Sequence, residues 1–278
     1  MDNTERMKKV QLELLHELDR VSKLSGFRYF LAYGSCLGAV RHKGFIPWDD
    51  DIDVFITIDE INKLQNSREM FGEKYFLQNR MTDPYYTNIK WALRDSSTSY
   101  FADEEDNRDI NHGIDMDIYV LFPYPDSFIN AHRLILESYI LRFLYMDSPP
   151  KNHGKIGKIG YYIINKMYYG ERKKKKIKKI ENRLIHNGGK KYYSVFMGND
   201  ITPFSCIKYP QSCFEEPQMM MFEDFMAPCP SKPETICERT YGKTYMEFPP
   251  EDQRYSQHHA ILLDFDTSYE NYRGKYFA

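Results

Sequence analysis

Apolar side chains recur every three or four positions near the start of the chain, at Met7, Val10, Leu14, Leu18, Val21 and Leu24. That period is one face of a helix, and it predicts a helix over 4–25 that Gly26 ends. The pattern then closes up into a largely apolar run over 27–33, interrupted by Arg28, which reads as a strand. A small-residue turn at Gly34-Ser35 and a short helix over 36–42 follow. Acidic and apolar residues alternate into a second strand over 51–58, and Asp59-Glu60 open a helix to about residue 69. Short strands are expected at 75–78, 87–93 and 98–101. A stronger one lies at 114–121, where Asp115, Asp117 and Tyr119 alternate with Met116, Ile118 and Val120, so its two faces carry different chemistry. A long helix over 126–146 stops before Pro149-Pro150. Two more helices are expected at 156–169 and 172–186. Beyond 187 the chain reads as loop-rich and aromatic, apart from a helix at 233–241 ended by Gly242. Strands interleaved with helices make the fold α/β (α+β). The expected organisation is a core over 1–125, a mostly helical, Lys-rich insertion over 126–210, and a C-terminal segment over 211–278 that completes the core.

The bulk composition narrows the function classes. With 278 residues and 42% hydrophobic content the chain can bury a sizeable core, and a net charge of −2 exerts no general pull on nucleic acid. No apolar run reaches the roughly 18–20 residues of a membrane span. The best candidate, 156–169, contains Lys158, Asn165 and Lys166. The N-terminus is charged and helix-forming, unlike a secretory leader. Five cysteines without a C-x-x-C pair fit neither a disulfide framework nor a zinc knuckle, so they read as reduced thiols in a cytoplasmic protein.

The acidic block carries the chemistry. Asp49, Asp50, Asp51 and Asp53 place four carboxylates in five positions. On extended backbone Asp49, Asp51 and Asp53 share a face, and Asp50 and Ile52 point to the other. Three hard oxygen donors suit Mg²⁺, with Mn²⁺ as second choice, and such an ion suits a phosphate substrate. A solvated turn is the bland alternative, but it would have no need of Ile52, Val54 and Ile56. Upstream, Gly34 leaves room for a phosphate to approach backbone N–H groups. Ser35 offers a hydroxyl, and the next helix its positive end. A third carboxylate from a neighbouring strand would complete a two-metal site that activates a hydroxyl and stabilises a leaving phosphate. Asp117 is the first choice and Asp115 the second.

Several neighbours have two readings. Arg41 suits a pyrophosphate. His42 suits a substrate or a packed place beside Trp48, and Trp48 reads as wall more than as a base-stacking platform. Lys90 and Arg94, at i and i+4 on one strand face, suit phosphate or solvent. His258-His259 are adjacent, a poor geometry for a metal pair. Lys173–Lys176, Lys178 and Lys179 crowd one helix. The favoured reading is a solvated face, since no large apolar surface is evident beside them. The alternative is peripheral contact with an anionic membrane.

Residues 33–54, YGSCLGAVRHKGFIPWDDDIDV, resemble the signature of the LicD family within the nucleotidyltransferase-fold superfamily. Met116-Asp117-Ile118-Tyr119 resembles a second family element. Phe222-Glu223, Pro228, Tyr241-Gly242 and Pro249-Pro250 resemble a third. The likeness covers about 5–125 and 215–258, while 126–210 matches no motif. It departs at 119–123, where Tyr-Val-Leu-Phe-Pro stands in place of a Phe-Pro-Leu-Asp pattern, which leaves the donor alcohol open. The resemblance implies a mixed sheet of nucleotidyltransferase type flanked by helices. It implies phosphotransfer from a CDP-alcohol donor such as CDP-choline to a hydroxyl of a glycan or lipid-linked glycan. The acceptors it points to are cell-surface polymers of the lipopolysaccharide, teichoic acid or capsule kind, modified at the inner face of the membrane. Asp49, Asp51, Asp53 and Asp117 would be the acidic site, with Asp51 and Asp53 on Mg²⁺ and Asp117 bridging metal or taking the hydroxyl proton. Gly34, Ser35, Arg41, His42, Lys90 and Arg94 would be the substrate contacts. Two other functions stay open: nucleotidyl transfer from an NTP by the same carboxylates, and an inactive scaffold binding glycan or a partner protein. The cost of keeping such a carboxylate cluster unpaired speaks against the scaffold.

Overall fold

The computed structural model describes residues 2–102, 108–150, 154–197, 206–255 and 260–277. The chain divides into two compact units, one of Met1–Tyr86, Lys90–Val120 and Ser212–Ala278, the other of Thr87–Ile89 and Leu121–Gln211. The fold is α/β (α+β), with a mixed succession of helices and strands around an open sheet.

The first unit begins with α1, Asn3–Ser25. Asp2 caps it by accepting from the Glu5 N–H at 2.8 Å, and Gly26 closes it in the left-handed conformation at φ 68°. Met7, Leu14, Leu15, Leu18 and Val21 form its buried face, while Leu24 stays exposed and the amide of Gln11 lies inside instead. The expected strand over 27–33 is reduced to β1, Phe30–Leu31, because α2, Tyr33–His42, starts earlier than expected. β2 spans Asp53–Thr57, α3 Ile61–Asn66, β3 Tyr75–Gln78, β4 Trp91–Asp95 and β5 Ser99–Phe101. β6, Ile114–Tyr124, runs three residues past its expected end. The sheet of this unit has the order β1-β2-β6-β4-β3. In the antiparallel β4–β6 ladder Ala92 faces Asp117 and Arg94 faces Asp115. β6 thus sits centrally, with the acidic strand β2 on one side and the cationic segment around β4 on the other.

The second unit is mostly helical. α4, Phe128–Tyr145, packs against α5, Gly154–Met167, and α6, Gly170–Ile185. Leu134, Ile135, Leu141 and Tyr145 meet Ile180 and Leu184 in a small core. The end of β6 at Phe122–Tyr124 pairs with β7, Tyr192–Ser194, which pairs with β8, Tyr209–Pro210. Among the described residues no helix is long and apolar enough to cross a membrane.

The chain then returns to the first unit. The segment expected to be loop forms a hairpin of β9, Gln218–Phe222, and β10, Phe225–Cys229. Its Met-Met-Met run has no alternation of polar and apolar residues to betray a strand. α7, Pro233–Tyr241, starts on proline and stops at Gly242. β11, Leu262–Asp264, pairs with β5.

α2 packs on α7 and β9, and Gly38 makes the close approach. A Cβ there would lie 2.3 Å from the Gly44 carbonyl oxygen. In an ordinary helix interior Gly→Ala gains up to ~1 kcal/mol. Gly38→Ala should reverse that sign and destabilise by ~1–3 kcal/mol, since backbone must move. Chemical denaturation of the two proteins measures it, and a stabilised variant would contradict the packing of this loop on α2.

Candidate active site

Three segments converge on one cavity of about 720 Å³. α2 contributes Tyr33, Gly34, Leu37 and Arg41. The run into β2 contributes Trp48, Asp49, Asp51 and Asp53, and the chain after α7 contributes Tyr241, Tyr245, Glu247, Phe248 and Tyr255. Asp49, Asp51 and Asp53 do share a cavity, but not as residues of one strand. The ladder begins only at Asp53, and the irregular backbone before it lets Asp50 join the cluster rather than face away. Carboxylate oxygens of Asp49, Asp50 and Asp51 all lie within 4.8 Å of one another.

Asp53 and Asp117 are the buried end of the cluster. The Asp117 N–H donates to the Ile52 carbonyl at 3.2 Å, which fixes β6 beside the acidic segment. Asp117 is divided between two duties. Its Oδ2 receives the Lys90 ammonium and the Tyr119 hydroxyl, the latter at 3.2 Å, while its Oδ1 is buried without a hydrogen-bond partner. Asp53 Oδ1 is buried and unpartnered in the same way. Burial pushes the Asp53 pKa well above the ordinary carboxylate value, and the fields of Asp51, Asp117 and Asp49 add to the rise, with Lys90 opposing. Burial works against the Lys90 charge, but Asp117 and Asp115 more than offset it, and its pKa is raised. Burial, then the fields of Asp117 and Asp53, raise that of the Tyr119 phenol.

Hard, buried, unsatisfied oxygens beside further carboxylates are what a small divalent cation needs. Asp51, Asp53 and Asp117, with Asp49 and Asp50 adjoining, are therefore chemically suited to Mg²⁺ or Mn²⁺.

The supports of this cluster were partly hidden in the sequence. Gln11 reaches from α1 to accept from the Ile52 N–H at 3.1 Å and to donate to the Asp115 carbonyl at 2.6 Å, tying the acidic segment to β6. A lone amide inside an apolar helix seam was the available signal. Ser35 is 4% exposed, and its hydroxyl accepts from the Asp53 N–H at 2.9 Å. It braces Asp53 and does not line the cavity, which corrects its expected place among the phosphate contacts. Gly34 and Ser35 are not a turn but the first turn of α2. A Cβ on Gly34 would lie 2.6 Å from Asp49 Oδ2. The glycine thus lets a carboxylate reach the helix N-terminus, whose dipole favours negative charge. Tyr33 holds φ at 39°, left-handed for a bulky residue. Its ring meets Phe55 and Tyr119 edge-on, each at 4.9 Å.

The remaining candidates separate clearly. Arg41 lines the cavity but also donates to the carbonyls of Tyr245 and Glu247 at 2.9 and 3.0 Å, anchoring the C-terminal wall. Its burial lowers its pKa. His42 stacks on Phe248 at 5.7 Å and meets Trp48 edge-on, outside the cavity lining. Burial first, and Arg41 second, lower its pKa, and its place is in the aromatic wall. Trp48 is wall, with the Arg254 guanidinium 5.5 Å from its ring centre and equally close to Phe248. Lys90 holds Asp117. Arg94 is 3% exposed and is committed to Gln78, to the Gly113 carbonyl at 2.6 Å and to Asp115 at 3.4 Å. It is a strut of the sheet, not a phosphate contact. Glu223, at the hairpin tip with φ 55°, accepts from the Phe45 N–H at 2.9 Å and clasps the loop that leads into the acidic block. His258-His259 lie outside the described residues.

Residues 26–132 match the family model described as LicD/FKTN/FKRP, nucleotidyltransferase domain. Over these residues the chain is similar to a LicD-type nucleotidyltransferase domain. A 52-residue stretch is 50% identical to the lipopolysaccharide cholinephosphotransferase LicD of Haemophilus influenzae, covering 19% of this chain and 18% of that protein. A 48-residue stretch is 42% identical to the human ribitol 5-phosphate transferase FKRP, covering 17% and 10%. An uncharacterized protein of Rickettsia prowazekii is 33% identical over 61 residues, covering 22% and 23%. The chain therefore matches less than a quarter of the length of each of these relatives. The LicD-type region includes α2, the acidic segment and Asp117, whereas the wall from Tyr241 to Tyr255 lies outside it.

The raised pKa of Asp53 has a sign that can be measured. Between the ordinary carboxylate pKa and the raised one, the folded state holds a proton that the unfolded chain has lost, so stability falls as pH rises through that window. In EDTA, Asp53→Asn should raise the melting temperature at pH 7.5 by about 2–4 °C, the scale of ~1 kcal/mol in a domain of this size. The gain should shrink towards pH 4. Thermal melts of both proteins across that range test it, and a variant less stable at pH 7.5 would contradict the assigned field.

Proposed function

We propose that this LicD-type domain transfers a phospho-alcohol from a CDP-alcohol to a hydroxyl group of a glycan or lipid-linked glycan. The observation that carries the reading is the pair of bare buried oxygens, Asp53 Oδ1 and Asp117 Oδ1, in a cluster with Asp49 and Asp51. Asp51, Asp53 and Asp117 would hold Mg²⁺ or Mn²⁺, which when bound would neutralise the diphosphate and polarise the attacking hydroxyl. The cavity volume of about 720 Å³ falls in the range of small-molecule sites and is ample for a CDP-alcohol. Trp48, Tyr245 and Phe248 give it flat faces that suit a pyrimidine.

The acceptor oxygen attacks the phosphorus that bears the alcohol, and a new P–O bond forms as the bond to the CMP phosphate breaks. CMP leaves. The acceptor proton passes to a carboxylate of the cluster. Lys90 keeps Asp117 oriented, Gln11 and Ser35 hold the backbone beneath the cluster, and Arg41 keeps the aromatic wall closed. Choline is the first candidate alcohol and ribitol the second, after the two named relatives. The five cysteines are free and buried, which fits a reducing cytoplasmic compartment.

The test is incubation with CDP-choline, CDP-ribitol and CDP-glycerol, Mg²⁺ and glycan acceptors, with CMP as the readout. CMP release should require the divalent ion and fall by ~100-fold or more in Asp51→Asn and in Asp53→Asn. Pyrophosphate release from CTP without any CMP from the CDP-alcohols would replace this reading with nucleotidyl transfer. Neither product, and no metal-dependent nucleotide binding, would leave a binding scaffold.

A further inference from the structure

The second unit carries a helix whose exposed side bears an apolar stripe and charges of one sign. α5 packs inward on α4. Asn165 donates to the Phe143 carbonyl at 3.0 Å, Gly160 lies against the Phe143 ring, and Tyr161 is buried. On the opposite side Ile159, Tyr162, Ile163 and Met167 follow one helical stripe and are 53–62% exposed. Single exposed apolar residues are ordinary, but four on one stripe form a patch that water does not favour.

The charge around this stripe is lopsided. α5 contains Lys155, Lys158 and Lys166 and no acidic residue. α6 follows after two tyrosines and exposes Lys174, Lys175, Lys178 and Lys179. Between residues 154 and 185 there are eleven basic and two acidic side chains, in a chain whose net charge is −2. A solvated lysine face accounts for α6 alone, and the expectation of one rested on seeing no apolar surface beside it. α5 supplies an apolar surface in the same unit.

We propose that α5 lies in the headgroup layer of an anionic lipid bilayer, with its apolar stripe inserted and the lysines of α5 and α6 against lipid phosphates. The occupant follows from the charge. Two copies meeting through this face would bring like charges together, so a second copy of the chain is disfavoured. An anionic bilayer meets both features at once, because its interface pairs negative headgroups with an apolar layer a few ångströms below. Lysine stems can lie along that apolar layer while their ammonium groups stay at headgroup level.

The test is co-sedimentation of the full chain with phosphatidylcholine vesicles, with and without phosphatidylglycerol, at low salt and with added salt. It reads binding without reference to transferase activity, so its failure and the failure of the proposed reaction are separate results. The chain should bind the anionic vesicles at least tenfold more tightly than the neutral ones and lose that binding in high salt. The triple change Ile159→Ser, Ile163→Ser, Met167→Ser should lose binding at least tenfold with an unchanged melting temperature, since all three side chains are exposed. The quadruple change of Lys174, Lys175, Lys178 and Lys179 to Gln should do the same and serves if the serine variant fails to fold. No binding to anionic vesicles, equal binding to both kinds, or full binding by a folded serine variant would overturn the proposal. So would self-association of the wild type that the serine changes abolish in analytical ultracentrifugation.

Discussion

Like-charge repulsion is the constraint around which the first unit is arranged. Two carboxylates 4 Å apart repel by roughly 4 kcal/mol at the effective dielectric of a protein surface, and more where water is excluded. Carboxylate oxygens of Asp49, Asp50 and Asp51 lie within 4.8 Å of one another, and Asp53 feels Asp51, Asp117 and Asp49. Such a cluster persists only if the backbone around it is held firmly. Ser35 fixes the Asp53 amide, and Gln11 fixes Ile52 against β6. Lys90 and Tyr119 hold one oxygen of Asp117, and Gly34 leaves space for Asp49 at the start of α2. The supports come from α1, α2, β6 and the segment before β4, so distant parts of the chain are jointly committed to one small volume.

The same economy engages several polar residues near the cavity within the protein itself. A cation that is fully engaged with carbonyls or carboxylates has little left to offer a ligand. Arg94 spends its donors on Gln78, Gly113 and Asp115, and Arg41 spends two on the chain after α7. The wall from Tyr241 to Tyr255 depends on Arg41 and on the Trp48–Phe248–His42 stack. The loop into the acidic block depends on Glu223 at the tip of a hairpin far away in sequence. The cavity is thus closed by parts of the chain that the family region does not contain.

What could be read in the sequence was whatever has a local period or a dense motif. The α1 seam, the alternation along β6 and the acidic run all have one, and so did the α/β character of the fold. What could not be read depends on contacts between distant segments. Ser35 and Gly34 looked like an open phosphate turn because nothing local shows that α2 begins at Tyr33 or that Asp49 folds back onto it. Asp50 was assigned to the wrong face because alternation was extended into backbone that is not strand. β9 lacks alternation altogether. The apolar stripe of α5 was overlooked because its neighbour's lysines dominate the composition, whereas exposure is a property of the packed unit.

The central proposal is that Asp51, Asp53 and Asp117 would hold one divalent cation, at a place where Asp53 Oδ1 and Asp117 Oδ1 are buried without a hydrogen-bond partner. Mn²⁺ binding, followed by electron paramagnetic resonance on the full chain without nucleotide, tests it most directly. The account predicts saturable binding by the wild type and a large loss of affinity in Asp53→Asn and in Asp117→Asn, with both variants folded. Undiminished Mn²⁺ affinity in those two variants would contradict it.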